Sequence, residues 1–335
     1  MEESTQTDIG LDFGFLNNMI TFTVDYYIKT TDGMLMTMSL PQYVGEAIPL
    51  GNVGKMRNSG LEFDVNFRKT FGDFTLGING NASWLKNKLI SYGNEQGWAN
   101  LDSFQGTGTI SRAENGEPFP YFYGYKTGGI LQNQIEADEY NAKYGTALSP
   151  GDVRFVDVNK DGSITEDDRT KIGKGMPDWS YGFGLNAQWR GLDLNVFFQG
   201  TAGNDIFDAT RRTDALASNL PSWMLNRWTG EGSTDKLPRY VRADAYNWQS
   251  SDLLVYDGSY LRLKNIQLGY TLPQKWTRKI FVDKFRVFVA AENLFTWTRY
   301  HGYDPEISSG GTSLGIDYGV YPQARVWTVG FNIAF

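Results

Sequence analysis

The sequence predicts an all-β fold: a segment of about nine to ten strands of an antiparallel transmembrane β-barrel, with long extracellular loops. Three features of the 335-residue chain predict it. Several segments alternate strictly between apolar and polar side chains, which is the period of a β-strand. These segments run for about 10 to 14 residues, whereas soluble strands average about 5 or 6 and a tilted membrane strand needs about 9 to 11. The connections between them alternate between short and long, as in outer-membrane barrels.

Composition narrows the class of protein. Aromatic residues make up 15% of the chain and glycine numbers 38, a profile that favours strands and turns over helices. The formal charge of −7 argues against nucleic-acid binding, which requires a dense basic face. Cysteine is absent and the single histidine, His301, is expected to be an ordinary loop residue. No stretch reaches the roughly 18 apolar residues of a membrane helix, and the first residues lack a signal-peptide pattern.

The predicted strands follow one another as hairpins. The first pair flanks Asn17 and Asn18, the second flanks "TFGD", the third flanks Arg190 and Gly191, and the fourth flanks "LPQKWTRKIFVDK". A ninth strand follows the last long loop. The predicted ranges are 7–16, 19–31, 57–69, 72–86, 178–190, 192–202, 258–271, 284–297 and 323–335. The apolar phase changes within "YLRLKNIQLGYTLP", which predicts a β-bulge near Asn265.

Each strand has one apolar face and one polar face. In "LEFDVNFRKT", for example, Phe63 and Val65 alternate with charged and amide side chains. If lipid contacts the apolar face, the polar face lines the lumen. The residues expected to line it are Glu62, Asp64, Asn66, Arg68, Asn186, Gln188 and Arg190. Alternation also suits two packed sheets, so a secreted, calcium-stabilised β-sandwich that binds glycans is the alternative.

Long loops are predicted at roughly 32–56, 87–177, 203–257 and 298–322. Consecutive antiparallel strands place odd and even connections at opposite ends, so all four share one end, which is expected to be extracellular. Their aromatic side chains are candidates for contact with substrate or with a partner lid, or alternatively for small cores within the loops. These candidates are Trp98, Tyr121, Tyr123, Trp223, Trp228, Tyr240 and Trp248.

The stretch "DVNKDGSITEDD", residues 157–168, has the spacing of a calcium-binding loop, with Gly162 where the chain must turn sharply. The candidate ligands are Asp157, Asn159, Asp161, Ser163 through its carbonyl, Thr165 and Asp168. Asp168 is shorter than the usual glutamate, which predicts weaker binding. The alternative is an acidic turn that satisfies its own polar groups. No flanking helices of convincing length are predicted, so a bound Ca²⁺ is expected to brace the 87–177 loop rather than to act as a sensor.

A set of segments matches one family along nearly the whole chain. They are "TQTDIGLDFGFLNN", "VDYYIKTTDGML", "NVGKMRNSGLEFDV", "YFYGYKTGGI", the 157–168 loop, "IGKGMPDWSYGFGLNAQWRGLDLNVFFQGTAGNDIFD", "SYLRLKNIQLGYTLP" and "RVFVAAENLFTW". In this order they resemble the SusC/RagA family of TonB-dependent outer-membrane receptors. The resemblance implies a barrel of about 22 strands around an N-terminal plug. It also implies a SusD-like surface lipoprotein that captures glycans or peptides.

The chain departs from this family in extent. It carries no plug and no TonB box, and about nine strands are under half of the implied barrel. Residues 1–335 are therefore interpreted as the C-terminal portion of the receptor barrel, and the TonB complex would act only through the missing N-terminal part. The last strand ends on Phe335, which resembles the signal that the barrel-assembly machinery recognises.

These inferences make import across the outer membrane the expected function, with glycan or peptide as cargo and lipid around the wall. No enzyme is expected, because histidine and cysteine are too scarce for most catalytic sites. The segment "GTSLG" around Ser313 matches a nucleophile pattern, but it lies in a loop and follows the only histidine.

Overall fold

The computed structural model describes residues 1–37, 50–104, 107–210, 219–242, 244–307 and 309–335, and nine long strands dominate it. They are β1 (Glu3–Phe15), β2 (Ile20–Thr37), β3 (Leu50–Phe71), β4 (Phe74–Ser91), β5 (Trp179–Trp189), β6 (Leu192–Ala202), β7 (Tyr260–Thr271), β8 (Lys284–Thr298) and β9 (Val326–Ala334). All nine form one antiparallel sheet in chain order, which confirms the predicted barrel segment. The two-sheet sandwich is wrong, because all nine long strands pair within this single sheet.

The predicted bulge near Asn265 is present. The register of β7 shifts between Leu263 and Asn265 against β8, and the pairing of β6 with β7 shifts between Phe197 and Phe198. The extra residue restores the phase, so the apolar side chains on both sides of the bulge share one face of the sheet.

Three strands are longer than their alternation predicts. β2, β3 and β4 extend beyond the membrane-like pattern into the predicted loops at 32–56 and 87–177, whose residues 38–49 lie outside the described part of the chain. There Met36, Leu89 and Tyr92 are buried in a small core of their own. The strict alternation stops where these residues pack against other parts of the protein.

The remaining long loops fold into one unit, here called the loop domain. Its short strands are Trp98–Asn100, Ser103–Phe104, Gly108–Thr109, Ser111–Glu114, Tyr121–Gly124, Thr127–Ile130, Val153–Phe155, Thr170–Gly173, Asp205–Asp208, Val255–Asp257 and Ile316–Asp317. Its largest core joins Phe122 of one loop, Phe207 of the next and Ile316 of the third, all of them fully buried. The three loops therefore stabilise one another.

The loop domain contains an α-helix that the sequence did not predict, α1 (Gln134–Tyr144). Asn133 caps its first turn and Gly145, with φ of 66°, ends it. Only Ala137 and Tyr140 are buried, so the apolar periodicity is too sparse to show in the sequence. A second helix, α2 (Gln274–Thr277), lies in the turn between β7 and β8. Neither helix in the described ranges is long and apolar enough to cross a membrane.

Single-turn 3₁₀ helices complete the secondary structure. They lie at Glu166–Asp168, Ser222–Asn226, Asp252–Leu254, Arg278–Ile280 and Gly311–Ser313.

Candidate functional site

One face of the nine-stranded sheet carries mainly polar side chains and the other mainly apolar ones. Residues paired across the strands form rows that run along each face. One polar row runs through Asp12, Thr23, Asp64, Asn81, Gly182, Gln199, Arg262 and Thr296. The neighbouring row on the other face runs through Leu11, Val24, Phe63, Ala82, Tyr181, Gly200, Leu261 and Trp297. Directly opposed residues share a face, so the alternation of single strands becomes two continuous surfaces.

The distance between two aromatic rows on the apolar face matches the height of the apolar band of a membrane barrel. At the end of this face next to the loop domain, here called the outer end, an aromatic row contains Trp84 and Trp179. At the opposite end, next to the short turns and here called the inner end, another contains Phe74 and Trp189. The eleven residues from Trp179 to Trp189 are separated by ten intervals of about 3.3 Å, so they span about 33 Å along β5. A tilt of about 40° reduces this to roughly 25 Å, the height of the apolar band of outer-membrane barrels. The apolar face therefore fits lipid, and the polar face fits a lumen.

Six of the seven predicted lumen residues lie on the polar face. Arg68, Gly77 and Asn186 form one row, and Asn66 donates a hydrogen bond of 2.5 Å from Nδ2 to Asp64 Oδ1. Glu62 and Gln188 lie in other rows of the same face. The seventh, Arg190, lies beyond the end of β5, in a turn where its φ is 45°. There its Nε atom contacts Asp73 Oδ2 of the neighbouring turn at 2.8 Å, so it sits at the rim rather than in the wall.

A cavity of about 520 Å³ lies against the polar face, across β2 to β6. Asp25, Glu62 and Asp64 contribute carboxylates, and no lysine or arginine of the described chain lines it. Its remaining polar lining residues are Asn81, Ser83, Ser180, Gln199 and Thr201, and the ring of Phe197 adds an apolar surface. The wall therefore offers hydrogen-bond acceptors and one aromatic surface within an acidic field.

Near the inner end of the same face, Arg286 and Asp193 form an ion pair that sequence reasoning missed. Nη2 and Nε of Arg286 lie 2.5 and 2.9 Å from the two carboxylate oxygens. The pair spans β7, whose Gly269 lies between the two partners. Alternation places both side chains on the polar face, but only the strand order shows that they meet.

Arg262 fastens a long loop to the polar face. Its guanidinium contacts Asp304 Oδ1 at 2.5 Å and Glu306 Oε2 at 2.8 Å, and it donates to Thr296 Oγ1 at 2.9 Å. Asp304 also accepts a bond of 2.8 Å from the backbone N–H of Gln323. Arg262 is 1% exposed, so this part of the 298–322 loop folds inward onto the wall.

The predicted contact aromatics divide by burial. Tyr121, Tyr123 and Trp248 are 2%, 8% and 2% exposed, so they belong to the interior of the loop domain, the alternative role that the sequence left open. Trp98 is half-buried beneath the guanidinium of Arg112, 4.2 Å from its ring centre.

The other three predicted aromatics are more accessible. Trp223 and Trp228 are half-buried and Tyr240 is 50% exposed. Of the seven candidates, these three and Trp98 can present ring surface to a ligand or partner.

A second cavity, of about 690 Å³, lies within the loop domain and brings three rings together. The ring centre of His301 lies 4.3 Å from that of Tyr256 and 5.1 Å from that of Trp223. His301 Nε2 lies 3.0 Å from Asp208 Oδ2, and Asp208 is buried. Burial raises the pKa of the Asp208 carboxyl, but hydrogen bonds from His301 and Thr210 outweigh it and hold that pKa below its usual range. The sequence predicted only an ordinary loop residue at His301, because the neighbours of this ring come from distant loops.

The 157–168 loop holds its predicted calcium ligands in a turn whose polar groups bond largely to one another. Asp157 Oδ1 is buried without a hydrogen-bond partner, and Gly162 takes the positive φ of 85° that the turn requires. Asp168 instead accepts backbone N–H groups from Val158 and Thr165, each at 2.8 Å. Among the described residues, no group of three or more Asp, Glu, His or Cys converges in a metal-ligating geometry. The oxygen atoms of the predicted ligands suit Ca²⁺, but the carboxylate of Asp168 would have to bind the ion while it also accepts these two backbone hydrogen bonds.

The remaining predicted positions lie away from these cavities. Phe335 follows the last residue of β9 and is 88% exposed, and its role in assembly stays a prediction. Ser313 donates a hydrogen bond of 2.6 Å to Asp102 within the loop domain.

Three kinds of similarity bear on this architecture. A family model described as TonB dependent receptor-like, beta-barrel, matches residues 1–294. The TonB-dependent receptor P3 of Formosa agariphila is 33% identical to the whole of this chain, which covers 34% of that relative. The TonB-dependent receptor SusC of Bacteroides thetaiotaomicron is 28% identical, with 32% of its length covered. The chain thus spans about a third of the length of these curated relatives.

Solved structures share the fold. The structure of the RagAB peptide transporter matches all of this chain with a TM-score of 0.77 and 24% identity, over 35% of that chain. The RagAB peptide importer in its open-open state matches with the same TM-score and identity, over 99% of this chain and 34% of the other.

Proposed function

The chain belongs to the TonB-dependent receptor β-barrel family, and on that basis we propose that it forms barrel wall and outer loops of an outer-membrane importer. One observation carries the proposal: a single sheet has an apolar band of membrane height outside, polar rows inside and a folded loop domain at one end. Lipid would surround the apolar face, and the barrel-assembly machinery would insert the complete receptor.

The proposed cargo is a glycan or peptide without strong negative charge. Asp25, Glu62 and Asp64 give the wall cavity an acidic field, which repels anions and suits hydroxyl-rich or cationic molecules. The accessible rings of Trp223 and Trp228 supply surfaces for stacking in the loop domain. RagAB is a peptide importer, whereas the name SusC specifies no cargo, so these similarities are compatible with either a glycan or a peptide.

The loop domain is the proposed docking surface for a SusD-like lipoprotein, and the TonB complex would energise import. We also propose that Ca²⁺ binds the 157–168 loop through Asp157, Asn159, Asp161, Ser163, Thr165 and Asp168. The unpartnered Oδ1 atom of Asp157 supports this, because a buried carboxylate oxygen without a partner is costly. The ion would stiffen the loop domain next to α1.

The test is uptake by cells that lack the receptor gene and are complemented with the full-length protein. Fluorescent neutral oligosaccharides, cationic peptides and acidic peptides are supplied with and without TonB. We expect TonB-dependent uptake of a neutral or cationic cargo, and a shift toward acidic peptides when Glu62→Gln and Asp64→Asn are combined. Absence of the protein from the outer-membrane fraction would refute the proposed function.

A further inference from the structure

A lysine-rich groove lies at the outer end of β4, immediately beyond the outer aromatic row. It has a volume of about 500 Å³ and is called the basic groove here. Its floor contains Trp84, and its cationic lining residues are Lys86, Lys88, Lys171 and Lys174. The lysines come from one barrel strand and from the segment that precedes β5, so the fold brings them together.

The groove forms where the loop domain meets the edge of β4. The backbone N–H of Leu85 donates to the carbonyl of Asp178 at 2.9 Å, and that of Leu89 donates to Glu117 at 2.9 Å. Lys86 and Lys88 share a face with Trp84 because side chains alternate along a strand. That face is the apolar, lipid-facing one, so these lysines point away from the lumen.

The groove carries excess positive charge. Lys171 pairs with Glu117 at 2.5 Å and Lys174 pairs with Asp178. Lys86 and Lys88 are exposed, and within the described part of the chain neither ammonium group has an ion pair or a side-chain hydrogen bond. Arg57, directly opposite Lys88 on β3, is also exposed and unpaired among those residues. Four lysines against two carboxylates leave two positive charges in the groove, on a chain whose formal charge is −7.

We propose that the basic groove binds the phosphate of an outer-leaflet lipid headgroup. Its position supports this source, because Trp84 marks the edge of the apolar band and the free ammonium groups lie one and two rows farther out. Lysine binds phosphate as a compact charge, and basic pockets at the membrane boundary attract anionic headgroups. An anionic cargo in the lumen cannot reach these side chains from the opposite face. The inference rests on the proposed outer-membrane placement.

The test is native mass spectrometry of the full-length receptor in detergent, with diphosphorylated lipid A as the probe. We expect Lys86→Gln combined with Lys88→Gln to weaken binding about 25-fold, roughly fivefold for each lysine removed. Lys86→Arg combined with Lys88→Arg keeps the charge and should retain binding. The matched control is Lys275→Gln with Lys279→Gln, two exposed lysines in the turn at the opposite end, which should leave binding unchanged.

Three results would overturn the proposal. The first is equal binding of lipid A by the Lys86/Lys88 glutamine variant and by the control variant. The second is equally strong binding of lipid A from which the phosphates have been removed. The third is displacement of the lipid by low-millimolar inorganic phosphate, which would indicate a site for the free ion. Fractionation is measured in parallel: a receptor that reaches the outer membrane but fails the lipid test refutes only this inference, whereas one absent from that membrane refutes the proposed function.

Discussion

The guanidinium of Arg262 lies 2.5 Å from the carboxylate of Asp304, and the two side chains are only 2% and 5% exposed. This ion pair joins the wall strand β7 to the 298–322 loop. A buried charge that loses its partner is strongly destabilising, because it has already lost its water. The pair therefore fixes where the loop lies against the polar face.

Arg262→Leu should release this loop. Removing one partner of a buried pair costs about 3–5 kcal/mol, so we expect protease cleavage between residues 299 and 322 in the folded receptor. Arg262→Leu combined with Asp304→Leu should recover part of the resistance, since it removes both charges. Arg190→Leu is the matched control, because its pair with Asp73 is 69% and 61% exposed and should contribute little. Equal cleavage of the two single variants would contradict this role.

Adjacent residues on β3 test the assignment of faces. Phe63 belongs to the apolar row and Asp64 to the polar row, at nearly the same height. Phe63 lies one row inside the outer aromatic row, so arginine there should destabilise the receptor by about 1–2 kcal/mol, between the roughly 2–4 kcal/mol of the membrane midplane and the smaller cost at the interface. Asp64→Arg, on the polar face, should cost less. Heat-induced unfolding of the receptor, followed by gel mobility, measures the difference. Similar tolerance of both substitutions would be incompatible with a lipid-facing Phe63.

Gly124 tests the junction between two loops of the loop domain. A Cβ there would lie 2.3 Å from the carbonyl oxygen of Ser250, a backbone atom that cannot move aside cheaply. Gly124→Ala should therefore cost about 1–3 kcal/mol and loosen the loop domain. Gly128→Ala is the control, since its nearest atom would be 3.7 Å away. Hydrogen exchange at the buried Phe122 and Phe207 amides should increase in the first variant only.

Asp161→Ala should abolish calcium binding by the 157–168 loop. Asp161 occupies the fifth position of the loop, where a carboxylate ligates the ion directly. Asp167→Ala removes the same charge from the eleventh position, which supplies no ligand, and should preserve binding. Isothermal calorimetry of the full-length receptor compares the two. Absence of calcium uptake in the unmodified receptor would show that the loop is only a self-bonded acidic turn.

Acid should open the loop domain at Asp152. Burial raises the pKa of this carboxyl, but the Arg239 and Asn247 hydrogen bonds hold it below the ordinary value of 3.8. A lowered folded pKa means that the stabilisation is complete above the unfolded pKa and is lost as the pH falls through the folded one. We therefore expect protease resistance to persist at neutral pH and to fall only below about pH 4.

The Asp152→Asn variant is the control for that acid response. It leaves Arg239 without its carboxylate, which lies 2.7 Å from Nε, so resistance should already be reduced at neutral pH. Its further loss on acidification should be smaller than in the unmodified receptor. An unchanged acid profile would assign the transition to other carboxyl groups.

Local chemistry was enough to predict the nine-stranded sheet and its two faces. The alternation around Phe63 and Asp64 depends only on the two-residue period of a strand, and the short turns at Asn17 and Arg190 fix the order of neighbouring strands. The phase change at Asn265 likewise revealed a bulge. These features could be read from the sequence because each depends on residues that are close together in the chain.

The loop domain and its sites were decided by tertiary structure. His301 contacts Asp208, 93 residues away in the chain, and Arg262 contacts Asp304, 42 residues away. Lys88 and Lys171 line the same groove only because the loop domain docks on β4. Such contacts depend on how three long loops pack together, and no period in the sequence encodes that packing. The sequence therefore determined the wall and its two faces, whereas the folded loops determined which charges and rings converge, since burial and pairing are properties of the assembled core.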